Sequence, residues 1–196
     1  MARPGSFTEA VVTVAELNAL GRVYTSGTRP TGADLYEGLD IWETDTNRRM
    51  EYDGANWICM AEPSQSFAAF TMTGITVGNG TKGGNYHRSD GWCDFACYFQ
   101  LGGTSAVTGD IVLTLPKTAA AYVNPGLFTA SFLDSGTAEL TAMIANVSTT
   151  AIGVRAINTA GTYATQATCS ATVPMTWATG DIIYVAGRYP MADRHA

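Results

Sequence analysis

The sequence predicts a mainly β protein, with a short N-terminal helix and a small β-meander followed by a jelly-roll-like antiparallel β-sandwich. Three observations carry that prediction. From Phe67 onward, apolar runs recur at short, regular spacing, and Gly, Pro, Asn or Asp separates nearly all of them. The runs alternate with period two. No helical period of comparable strength interrupts them. The clearest case is the stretch 91–102, where Cys93, Phe95, Cys97, Phe99 and Leu101 share one face and Trp92, Asp94, Ala96, Tyr98 and Gln100 the other. That is the pattern of a half-buried strand. Residues 108–116 repeat it with Ile111, Leu113 and Leu115 facing in, and Pro116 ends the run because it has no N–H for a ladder.

Taken in order, residues 1–27 read as an anchor. Thr13 and Glu16 form a capping box, Val12 and Leu17 occupy the staple positions, and Gly21 supplies a stop. These signals predict a helix over 14–20. Two turns are marginal alone, so the helix must dock on something. Residues 28–62 read as the meander. Leu39–Thr44 alternates, Asp45–Arg48 turns, Arg49–Tyr52 returns, Asp53–Asn56 turns again and Trp57–Met60 closes. So short a unit cannot build a self-sufficient core. Trp42, Tyr52 and Trp57 are therefore expected to bury against another copy or the next domain. Ala61–Ser66, with Pro63 and two serines, reads as a linker. Residues 66–196 form the sandwich, with strands expected at 67–77, 81–88, 91–101, 109–115, 127–133, 138–147, 150–157, 163–173 and 181–189.

Net charge is −6 and only 14% of the 196 residues are charged. An acidic chain lacks the attraction to phosphate that dominates nucleic-acid affinity, so no nucleic-acid partner is expected. The N-terminus has no apolar secretion core, and no run reaches the length of a membrane span, so no membrane insertion is expected. The chain is expected to be made in a cytoplasm and carried outside, if at all, by a particle. Sparse charge suits packing against copies of itself; it also suits a β-domain whose turns need glycine.

The residues that resemble chemistry read as decoys, and the expectation is no catalytic residue, no metal and no cofactor. If Cys93 and Cys97 share a strand, their Cα atoms lie about 13 Å apart at roughly 3.3 Å per residue, too far for a disulfide or a shared zinc ion. With Cys59 and Cys169 they read as small buried hydrophobes. Gly78-Asn79-Gly80-Thr81-Lys82-Gly83 matches a dinucleotide fingerprint, but strand-like Asn85-Tyr86-His87-Arg88 comes next where a helix is required, so it reads as a hairpin turn. A hydrolytic triad would have to use His87, since His195 is near-terminal, and no Gly-x-Ser-x-Gly elbow accompanies it. Glycoside chemistry would need two of Asp90, Asp94, Asp110, Asp134, Glu139, Asp181 and Asp193; several sit beside glycines, where turn duty is the default. Asn79-Gly80-Thr81 and Asn146-Val147-Ser148 are glycosylation sequons only in a secreted eukaryotic context.

Several segments together carry a resemblance. They are the leader (Ala2-Arg3-Pro4-Gly5 with Val14-Ala15-Glu16-Leu17-Asn18-Ala19-Leu20-Gly21), the meander with Glu43-Thr44-Asp45-Thr46 and Tyr52-Asp53-Gly54, and Val77-Gly78-Asn79-Gly80-Thr81. Thr108–Pro116 and Val173-Pro174-Met175-Thr176-Trp177-Ala178-Thr179-Gly180-Asp181-Ile182-Ile183 complete the set. The chain resembles small virion structural proteins of tailed bacteriophages, of the actinobacteriophage type: tail-fibre, minor tail and head-appendage components. Cys93 and Cys97 depart from the more usual aliphatic or aromatic residues. The resemblance implies a non-enzymatic homotrimer at the virion surface, attached to other virion proteins through residues 1–27. Three functions stay open: a tail appendage contacting host-surface glycan, a capsid decoration or head-fibre protein, and a virion-associated glycan hydrolase. No ligand-binding residue is named at this level.

Overall fold

The computed structural model describes residues 22–120, 127–146 and 148–193. The helix expected over 14–20, and with it most of the 1–27 anchor, lies outside the described residues. Among these, the elements are strands and a 3-10 turn at Gly32–Asp34, and Leu127 too is in 3-10 conformation.

The meander is a four-stranded sheet of β1 (Val23–Tyr24), β2 (Leu39–Glu43), β3 (Arg48–Tyr52) and β4 (Trp57–Ala61), in that spatial order. Its turns are those the sequence specifies. Asn47 takes a left-handed φ of 54°, and Asp53 Oδ1 accepts hydrogen bonds from Ala55 N and Asn56 N at 2.9 and 2.7 Å. Three expectations are corrected here. Val23 and Tyr24, assigned to the leader, pair in parallel with Trp42 and Glu43. Tyr52 and Trp57, expected against another copy or the next domain, pack with rings 5.4 Å apart on the meander's own core of Leu39, Ile41, Met50 and Cys59. Trp42 lies half-buried on the opposite face with Asp40 and Arg49.

The expected linker is structured too. Ala61 ends β4, Glu62 is buried, and Gln65–Ser66 form β5 against Tyr86 and Asn85. Glu62 Oε2 takes a 2.8 Å hydrogen bond from Arg88 of the larger sheet and lies 3.1 Å from Arg48 Nε of β3. Ser89 Oγ donates to Met60 O and Asp90 N to Cys59 O, both at 3.2 Å. The meander is therefore bonded to the sandwich along β4.

The remaining strands are β6 (Met72–Thr76), β7 (Thr81–Ser89), β8 (Trp92–Gln100), β9 (Ala106–Thr114), β10 (Phe128–Asp134), β11 (Ala138–Asn146), β12 (Ala151–Asn158), β13 (Thr165–Ala167) and β14 (Ile182–Pro190). With β5 they form one ten-stranded sheet of order β5-β7-β8-β14-β10-β11-β12-β9-β6, with β13 on β12. All its pairs are antiparallel. The sheet turns its corner at β11, whose first half pairs with β10 (Ala138 to Ala142) and whose second half pairs with β12 (Met143 to Asn146). The two halves face each other, with Phe70, Met72 and Leu113 meeting Cys97, Phe99, Ile183 and Val185. The result is a jelly-roll-like sandwich closed by curling one sheet. Cys93, Phe95, Cys97, Phe99, Leu101, Ile111, Leu113 and Leu115 all face its core, as their alternation predicts. Gly187 on β14 is imposed by this core: a Cβ there would come within 2.3 Å of the Phe128 ring, which lies over it.

All four cysteines are free and buried. Burial pushes the thiol of Cys93 up to about 11 and that of Cys97 to about 12, because the thiolate would lose its hydration. At pH 8 the native protein should therefore leave a disulfide reagent unreacted over minutes, while denatured protein should titrate all four thiols. Rapid native labelling of Cys93 or Cys97 would contradict this packing.

Candidate functional site

The residues that face solvent from β7, β8, β14 and β10 line up in rows across the strands, because all three pairings are in register. Asn85 pairs with Ala96, Ala96 with Ala186, and Ala186 with Thr129. One step along, Gly83 pairs with Tyr98, Tyr98 with Tyr184, and Tyr184 with Ser131. One step the other way, His87 pairs with Asp94 and Asp94 with Arg188. The middle row is small. It forms the floor of a trough between a tyrosine ridge and an ionic ridge.

Two depressions mark this trough and share Ala96 and Ala186. One, of about 230 Å³, reaches Thr129, Ser131 and Tyr184; the other, of about 400 Å³, reaches Ser64, Asn85, His87 and Asp94. Tyr98 and Tyr184 are 40% and 41% exposed. Asp94 lies 3.5 Å from His87 Nε2 and 3.7 Å from Arg188 Nε. Arg188 also covers the Trp92 ring, 5.0 Å from its centroid. The ionic ridge thus balances its own charge.

The other residues weighed from sequence take structural positions. Gly78 and Asn79 turn the chain into β7, with Gly78 at φ 54°; Asn79 Oδ1 accepts from Thr104 N at 2.9 Å, holding the loop before β9. Asp90 has φ 47° in the β7–β8 turn. Asp181 is buried and accepts hydrogen bonds from Ser135 N and Ala178 N at 2.9 and 2.7 Å. Asp110 pairs with Arg155, and Glu139 is exposed on β11. Among the described residues, no group of three His, Cys, Asp or Glu is placed to hold a metal ion, and no helix is long and apolar enough to cross a membrane.

His195 lies outside the described residues; of the weighed residues that are described, His87 and Asp94 are joined by a charged contact. Ser64 lines the same depression, so the three residue types of a hydrolytic triad share one place, yet no hydrogen bond joins Ser64 to His87 among the described contacts. A general base needs that reach to its nucleophile. Sequence reading missed Tyr184, Ala186 and Arg188 as partners of Tyr98, Ala96 and Asp94. Alternation gives the face of each strand, but only register brings distant strands into one row.

Compared with protein-family models, curated proteins and solved structures, the chain matches none of them.

Proposed function

We propose that this chain is a structural protein of a phage virion, a homotrimeric appendage of the tail surface, of the tail-fibre or minor tail type, that contacts host glycan. The reading assigns architecture and binding, with no catalytic step. The observation that carries it is the meander bonded to the sandwich through Glu62, Arg48 and Arg88, with a wide, accessible sheet face pointing away from the buried thiols. Two sheets joined by these bonds suit a display role, and the motifs quoted from the sequence supply the virion context. Sparse charge and the small meander core favour assembly with further copies.

Attachment is assigned to the residues ahead of the small sheet. Because Val23 and Tyr24 belong to that sheet, the informative truncation removes residues 1–21. The shortened chain should fold and yet fail to enter virions; normal incorporation would place the anchor elsewhere. Sedimentation equilibrium of the full chain should return about three chain masses, and a clean monomer would remove the trimer. Gold labelling of intact particles should mark the tail. Labelling over the capsid would instead assign the chain as a decoration or head-fibre protein.

A further inference from the structure

The trough across β7, β8, β14 and β10 has a chemistry that selects its occupant. We infer that it binds a neutral oligosaccharide laid across the strands. This deepens the glycan contact proposed above and rests on it only for the source of the sugar. Tyr98 and Tyr184 are register partners on β8 and β14, each two-fifths exposed, and Tyr184, which lines the trough, offers an apolar edge for the C–H face of a sugar ring. A Cβ at Gly83 would sit 2.9 Å from Tyr98 Cε1, so glycine lets that ring lie over β7.

The floor of Ala96 and Ala186 leaves space, and the far wall supplies hydrogen bonds. Asp94 accepts from hydroxyls, His87 beside it and Asn85 at the end of the floor row each offer a donor and an acceptor, and Arg188, next to Asp94, donates. Charge decides between sugars. Asp94 is balanced by Arg188 and the whole chain carries −6, so a polyanion gains nothing here and a neutral glycan is favoured. The same row argues against a second copy as occupant, because charged side chains are depleted from the centres of protein interfaces.

The test uses the purified full chain on immobilised neutral hexose and N-acetylhexosamine oligosaccharides, with hyaluronan and wall teichoic acid as anionic comparisons. Retention on at least one neutral oligosaccharide is expected. Tyr184→Ala should weaken it tenfold or more by removing a stacking surface, and Ala96→Arg should do so by filling the floor, with melting temperatures and sedimentation unchanged for both. Retention confined to the anionic polymers, no retention at all, or retention indifferent to both variants would overturn the inference. So would a changed sedimentation state in either variant, which would make the trough a contact between copies. Particle labelling reads the virion assignment separately, so either conclusion can fail alone.

Discussion

Phe95→Ala is expected to destabilise the sandwich by about 3–5 kcal/mol, the range for emptying a buried aromatic site. Phe95 is the hub of the aromatic core. Its ring centroid lies 5.9 Å from Phe67, 6.0 Å from Phe128 and 6.0 Å from Tyr189, edge-on or tilted to each. Phe67 leads out of β5, Phe128 opens β10 and Tyr189 lies near the end of β14, so one deletion loosens three strands. Tyr189 cannot move to fill the space: its hydroxyl donates to Lys117 O at 2.9 Å and accepts from Lys117 N at 3.0 Å, and burial pushes its pKa upward. Urea unfolding should show a lower midpoint with little change in slope. Phe95→Leu, which keeps most of the volume, should cost far less. A loss below about 1 kcal/mol for the alanine variant would mean that the ring is not central.

Glu62→Ala should cost a comparable amount, about 3–5 kcal/mol, because it strands buried positive charge. The Glu62 side chain is 1% exposed and Arg88 9%, with Arg48 completing the cluster at 26%. The Glu62 hydrogen bond holds the Arg88 guanidinium above its ordinary pKa against the opposing effect of burial. Glu62 Oε1 and Arg88 Nε make no hydrogen bond, so the cluster is incompletely satisfied and its net contribution is smaller than its truncation penalty. Joint replacement of Glu62, Arg48 and Arg88 by apolar residues should therefore recover most of the loss. Calorimetry gives the second readout. The native chain should melt in one transition, and Glu62→Ala should split off an earlier one for the meander. Near-native stability of the single variant would show that the clamp is dispensable.

Both effects bear on function through geometry. The trough needs β7, β8, β14 and β10 held in register, and Phe95 lies directly beneath Asp94 and Ala96 on the opposite face of β8. Loosening the core would blur the rows before it unfolded the domain.

Most of the fold was legible locally. Period-two alternation gave Cys93, Phe95, Cys97 and Phe99 their inward face, because successive side chains of a strand point oppositely whatever it pairs with. Turn residues set the meander, because Asn47 and Gly54 tolerate left-handed backbone that other residues avoid. The Gly78–Gly83 decoy was excluded by the strand residues Asn85 to Arg88, which stand where a dinucleotide site needs a helix. What the tertiary structure alone decided was partnership. Pro63 and its serines look like a linker in any local reading, and only the arrival of Arg88 and Arg48 turns Glu62 into a clamp. Val23 and Tyr24 are too short a run to register as a strand until β2 is beside them. Tyr98 and Tyr184 stand far apart in the chain, and their meeting depends on the register of β8 with β14. A one-residue slip would turn either ring into the core. Local sequence fixes the face a side chain takes; long-range pairing fixes its neighbours, and the trough is made of neighbours.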